Sequence, residues 1–147
     1  MCFAIGIEHT KTDVNVGTLW RSAYNFNASM IFTIGKRYKK QSSDTQKTWR
    51  SIPLIHFKDW NDFKEHTPFG WIPIGVELTE QAVSLDKFTH PKRAVYVLGA
   101  EDNGLSKEAM SLENKIYIPT GKPQSINVAT AGSIVMYDRF VKERLET

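Results

Sequence analysis

Apolar positions in this chain fall into short unbroken runs, and between them lie stretches with helical spacing. That pattern belongs to alternating strands and helices. The first run, Phe3–Ile7, has strand length and gives way to polar residues, so a buried strand should precede a loop over 8–13. In the next stretch Val16, Leu19, Ala23 and Phe26 recur on one helical face, with Asp13 or Asn15 as candidate N-caps. Gly17, Arg21 and Tyr24 share the opposite face, where the glycine leaves an open patch one turn before the guanidinium. Further strands are expected over Ser29–Ile34, Leu54–Phe57, Trp71–Leu78, Ala94–Leu98 and Lys115–Ile118. Asp59–His66 predicts a short helix with Trp60 and Phe63 inward, and Ser106 can cap another over Lys107–Glu113. A last helix should cover about Asn127–Leu145, with Ala129, Ser133, Met136, Tyr137 and Phe140 on one face. The predicted fold is α/β, a mostly parallel sheet flanked by helices. In such sheets ligands gather beyond the carboxyl ends of the strands, which here means the loops after Ile7, Leu78, Leu98 and Ile118.

Composition narrows the setting. With 147 residues, 41% hydrophobic and 24% charged, the chain is expected to form one domain over 1–147 with a core that needs no staple. Cys2 is the single cysteine, which excludes a disulfide scaffold, and no Cys/His pair stands at zinc-finger spacing. The histidines at 9, 56, 66 and 90 are scattered, so no metal is expected. No basic segment precedes the first apolar run and no run approaches 18 residues, so a cytoplasmic protein is expected.

The net charge of +3 is unevenly spread. Lys36, Arg37, Lys39, Lys40, Lys47 and Arg50 face only Asp44 within 36–50, a local +5 that leaves −2 for the rest of the chain. Such a run is either a solvated loop or a contact for a polyanion. The interleaved Tyr38 and Trp49, which can stack on bases or ribose, favour nucleic acid.

Three segments carry candidate chemistry. The helix start reads Asn15-Val-Gly-Thr-Leu-Trp-Arg21. The loop after Leu98 reads Gly99-Ala-Glu-Asp-Asn-Gly-Leu105, which is neither a dinucleotide fingerprint nor a Walker A loop, since its two acids would repel a triphosphate. The third, Ile118-Pro-Thr-Gly-Lys-Pro-Gln-Ser-Ile-Asn127, is stiffened by Pro119 and Pro123 and offers Ser125 or Asn127 as a helix cap. Taken singly, the second is an ordinary strand-to-helix turn and the third a capping loop. Together and in this order, they make the chain resemble the SpoU/TrmH branch of the SPOUT RNA methyltransferases. Asn15, Gly17 and Arg21 match that family's Asn-x-Gly-x-x-x-Arg motif, and Gly99, Glu101, Gly104 and Leu105 match its Gly-x-Glu-x-x-Gly-Leu turn. Ile118, Pro119, Ser125 and Asn127 match its Ile-Pro loop leading to Ser-Leu-Asn. The strand end Gly75-Val-Glu-Leu-Thr79 also looks like the family's cofactor side. Two features depart from the pattern. Ile126 stands where leucine is usual, and the 119–125 loop is about one residue shorter than in many relatives.

The resemblance implies a C-terminal deep trefoil knot, a rare exception to unknotted topology, and S-adenosylmethionine held by Glu77, Leu78, Gly99, Ile118, Ser125 and Ile126, mostly through main-chain groups. It implies methyl transfer to a ribose 2′-oxygen, with Arg21 activating the nucleophile electrostatically because a guanidinium stays protonated. Ser125 and Asn127 would orient the ribose or the backbone around it, Asn15 would fix Arg21 and its loop, and Glu101 would hold the second loop or the neighbouring site. It further implies a homodimer whose site borrows the motif-one arginine from the partner, the last helix forming the interface. The face carrying Met136, Tyr137 and Phe140 can alternatively pack within the chain. With no separate RNA-binding extension expected, Lys36, Arg37, Lys39, Lys40 and Arg50 become the candidate RNA contacts. Transfer RNA is the first expectation for the substrate and ribosomal RNA the second. The rival readings are a catalytically silent RNA-binding module of the same fold and a Rossmann-type nucleotide enzyme, the latter disfavoured by the missing GxGxxG after the first strand.

Overall fold

A computed structural model describes residues 2–10, 12–36, 51–100, 104–122 and 124–146. Among them the apolar runs become seven strands: β1 (Cys2–Glu8), β2 (Met30–Ile34), β3 (Leu54–Phe57), β4 (Ile72–Val76), β5 (Val83–Ser84), β6 (Arg93–Leu98) and β7 (Asn114–Tyr117). They form one sheet in the order β3-β2-β1-β6-β4-β7-β5, and every pairing of neighbouring strands is parallel. The helices are α1 (Asp13–Asn25), α2 (Trp60–His66), α3 (Lys107–Met110) and α4 (Val128–Glu146), with a 3-10 turn at Leu85–Lys87.

The unbroken apolar character of β1 and β6 follows from burial on both faces. Successive residues alternate between two cores. Phe3, Ile5, Ile7, Tyr96 and Leu98 pack with Val16, Leu19, Ala23, Ala129, Val135 and Met136, so α1 and α4 cover one face. Ala4, Val95 and Val97 pack with Phe32, Phe57, Trp60, Phe63, Leu105 and Ala109, so α2 and α3 cover the other. Phe63 lies in the middle of that second core, its ring 5.1–5.5 Å from those of Phe32, Phe57 and Trp60. On the first face, the lack of a side chain at Gly132 brings α4 close. A Cβ there would meet the Leu19 side chain at 2.4 Å and that of Leu98 at 2.9 Å.

Most predicted elements occur with small shifts at their ends, and four points differ. Neither Asp13 nor Asn15 caps α1: Thr12 holds that position without a side-chain cap bond, and Asn15 is buried inside the first turn. Helix α3 ends at Met110, three residues early, although Ser106 caps it as expected by accepting the Ala109 N–H. The two-residue β5 carries too little pattern to be predicted. Glu8, expected in a loop, is the buried last residue of β1. Pro73 is tolerated in β4 because the β7 ladder begins only at Ile74, so on that side no ladder bond is lost. The predicted face of α4 divides: Met136 is fully buried, the Phe140 ring lies 5.9 Å from that of Phe26, and Tyr137 stays 58% exposed.

Candidate active site

Register places the carboxyl ends of β6, β4 and β7 side by side, with Val76 opposite Leu98 on one flank and Ile116 on the other. The three loops that leave those ends enclose a cavity of about 610 Å³, within the range of small-molecule sites. All six residues expected at the cofactor, Glu77, Leu78, Gly99, Ile118, Ser125 and Ile126, line it. The lining joins apolar Leu98, Leu105, Val128 and Met110 to polar Thr79, Thr120, Lys122 and Gln124. The Thr79 hydroxyl is buried with no hydrogen-bond partner among the described residues, a polar group left unsatisfied in the wall.

Glycines set the two described ends of the second motif, 99–100 and 104–105. Gly104 adopts φ +63°, the left-handed region, and its N–H donates to the Ala100 carbonyl at 3.2 Å. The Glu77 carboxylate reaches across from the end of β4 and accepts the Leu105 N–H at 3.2 Å. At Gly99 a Cβ would lie 2.5 Å from the Gly104 carbonyl carbon, so what demands glycine there is the loop's own return.

Beneath this loop lies a residue that the sequence reading missed. Glu8, 1% exposed, accepts the Trp60 Nε1–H at 3.0 Å, the Ser106 hydroxyl at 2.8 Å and the Ser106 N–H. One carboxylate thus ties the end of β1 to α2 and to the residue that closes the loop and starts α3. The available signal was an acid placed directly after an apolar run.

On the third loop, Asn127 caps α4: its Oδ1 accepts the Thr130 N–H at 3.1 Å. Its Nδ2 donates to Asn15 Oδ1 at 3.1 Å, joining the first and third motifs across 112 residues of sequence. The structure therefore brings Asn15 to Asn127 and not to Arg21. Arg21 is exposed, makes no ion pair or hydrogen bond among the described residues, and does not line the cavity. Ser125 is exposed at the cavity wall. Lys36 is exposed just beyond β2, whereas Arg37, Lys39, Lys40, Arg50 and Glu101 lie outside the described residues. Among the described residues no cluster of metal-ligating side chains occurs, and no helix is long and apolar enough to cross a membrane.

Comparison with known proteins bears on this geometry. A model of the family described as "SpoU rRNA Methylase family" matches residues 3–137. The 23S rRNA (guanosine-2′-O-)-methyltransferase RlmB of Acinetobacter baylyi is 34% identical over 67 residues, which cover 44% of this chain and 27% of that protein. The chain spans 27% or less of the curated relatives it matches. A solved structure described as "Structural insights into the 2-OH methylation of C/U34 on tRNA" superposes with a TM-score of 0.84 at 19% identity, covering 97% of both chains. The SpoU methyltransferase AviRb from Streptomyces viridochromogenes, solved in complex with the cofactor AdoMet, gives 0.75 at 18% identity over 97% of this chain and 58% of that one. At such identities these two likenesses show the fold.

Proposed function

Because this chain belongs to the SpoU methylase family, we propose that it is an S-adenosylmethionine-dependent RNA methyltransferase acting on a ribose 2′-hydroxyl, with tRNA the first substrate class and rRNA the second. The observation that carries the reading is that the second and third motifs meet in one cavity, together with the end of β4. Its volume and mixed lining suit a nucleoside with an amino-acid tail. Bound there, the cofactor supplies an electrophilic methyl group on a sulfonium. Leu78, Gly99, Ile118 and Ile126 offer apolar surface and main-chain groups to the adenosine, and Glu77 holds the 99–105 loop in shape through Leu105.

When bound, the cofactor would pass its sulfonium methyl to the ribose 2′-oxygen and be left as the thioether, while the hydroxyl proton would pass to solvent water. Positioning supplies much of the rate. Arg21 stays protonated and stabilises the developing negative charge on the oxygen, acting through the adjacent phosphate. Ser125 and Asn127 orient the ribose, Glu101 supports the second loop, and Lys36, Arg37, Lys39, Lys40 and Arg50 hold phosphates. The active form is a homodimer in which the partner's arginine completes the site, a reading supported by the absence of Arg21 from the cavity lining of its own chain. The protein works in the cytoplasm, where such RNA is found.

Methyl transfer from labelled S-adenosylmethionine to unmodified tRNA, and separately to rRNA, tests this. Wild type should label one RNA class, and Arg21→Ala should lose on the order of 100-fold in turnover with unchanged thermal stability. Mixing Arg21→Ala with Asn127→Ala should recover part of the activity if sites are shared between chains. Labelling of neither RNA, without cofactor binding, would leave the silent RNA-binding module.

A further inference from the structure

Among the described residues that line the cavity, only Glu77 and Lys122 carry a formal charge. They belong to different walls and differ in their commitments. The Glu77 carboxylate is engaged by the Leu105 N–H. The Lys122 ammonium makes no ion pair or hydrogen bond among the described residues, while the Lys122 backbone is held by the Thr120 hydroxyl, which donates to its carbonyl at 2.6 Å. Lys122 is itself exposed, so an uncommitted cation stands at the solvent-facing wall of a concave site.

We propose that Lys122 is a specificity-determining residue that binds the α-carboxylate of the cofactor's amino-acid tail; this rests on the methyl-donor reading of the cavity. The carboxylate is the single anionic group of S-adenosylmethionine. Removing it from water is costly unless a cation or a set of donors faces it. Lys122 is the one cation that the described lining offers, and it shares its loop with Ser125 and Ile126. An RNA phosphate is the competing anion, for which the sequence offers the basic 36–50 segment as the stronger candidate.

The test compares two nucleosides. S-adenosylhomocysteine keeps the carboxylate, and 5′-methylthioadenosine lacks the amino-acid tail. Calorimetric titration of wild type, Lys122→Ala and Lys122→Arg should show affinity for S-adenosylhomocysteine falling about fivefold to tenfold in the alanine variant and recovering in part in the arginine variant. Affinity for 5′-methylthioadenosine should be the same in all three. An unchanged affinity for S-adenosylhomocysteine, or an equal loss for both nucleosides, would overturn the assignment. Unchanged S-adenosylhomocysteine affinity with a raised KM for RNA would give Lys122 to a phosphate instead. If wild type binds neither nucleoside, the methyl-donor reading itself fails, an outcome distinct from failure of the Lys122 assignment.

Discussion

The two ends of the sheet are built on opposite terms. At the carboxyl ends of β4, β6 and β7, loops held by a few bonds surround a cavity that contains an unsatisfied Thr79 hydroxyl and an uncommitted Lys122. At the amino end of β6, a network of polar side chains is densely paired, although Arg139 Nε has only its ion pair with Glu143 and no hydrogen bond. Arg139, 1% exposed, donates to the carbonyls of Pro91 and Lys92 and to the Tyr96 hydroxyl, and it pairs with Glu143 at 2.7 Å. With the imidazole as its neutral Nε2–H tautomer, the Tyr96 hydroxyl donates to His90 Nδ1 at 2.6 Å while it accepts from Arg139, and Nε2–H donates to Asp138 at 2.7 Å. Asp138 also pairs with Lys142, whose ammonium donates to the carbonyls of Leu85 and Phe88. Burial, offset only in part by Arg139, pushes the Tyr96 hydroxyl up to about 12, so it remains the donor that this chain of bonds requires. Each end keeps one buried polar atom without a hydrogen bond, but Arg139 Nε is offset by the Glu143 carboxylate, whereas the Thr79 hydroxyl faces a cavity with no charged partner of its own.

If that division holds, substitutions at the two ends should separate stability from binding. Arg139→Leu should have the largest effect, lowering unfolding free energy by about 3 kcal/mol because two carbonyls and a phenol lose their partner. Chemical denaturation would measure that loss, while affinity for S-adenosylhomocysteine at low temperature should be unchanged. Gly99→Val should do the reverse. The added Cβ meets Gly104 at 2.5 Å and displaces the loop, so nucleoside affinity should drop about tenfold, near 1.4 kcal/mol, with a smaller change in melting temperature.

Asn127 lies between the two behaviours. Asn127→Ala removes the cap of α4 and the donor to buried Asn15, costing about 1–2 kcal/mol. Asn127→Asp keeps the cap and loses only the bridge, so its activity defect should persist while most stability returns. Equal stability losses in both variants would show that the bridge dominates.

The smallest effect is on pH dependence. Burial holds the His90 imidazole below its ordinary value, with Lys142 and Arg139 acting the same way and Asp138 opposing. The unfolded chain therefore binds the proton more readily. The His90 contribution to stability is complete above the ordinary histidine range and is lost as pH falls through the folded-state value. Exposed His66 shifts upward through its bond to the Asp62 carbonyl, so the informative quantity is a difference between proteins. Between pH 7 and 5 the melting temperature of His90→Gln should fall less than that of wild type, as seen by circular dichroism.

Legibility in the sequence followed the same division. The lining of the cavity end could be read through the family resemblance, because its residues are neighbours in the short segments 75–79, 99–105 and 118–127, which taken singly read as turns and a capping loop. The strands β1 and β6 could be read because burial on both faces makes their apolar runs continuous. What escaped depends on distant partners. Glu8 takes its meaning from Ser106, 98 residues on, and Asn15 from Asn127. Arg139 reads as a solvated helix charge until the strand against which α4 packs is known. Two-residue β5 is held by pairing with β7 rather than by any pattern of its own.

If the cavity serves methyl transfer to a ribose oxygen, the methyl group must end on the RNA backbone sugar and not on a base. The most direct test is to label unmodified RNA with the wild-type protein and S-adenosylmethionine carrying a labelled methyl group, then hydrolyse it in alkali. A blocked 2′-oxygen cannot attack its neighbouring phosphate, so the account predicts that the label survives in an alkali-resistant dinucleotide at one site. Label released wholly in mononucleotides would place the methyl on a base and contradict it.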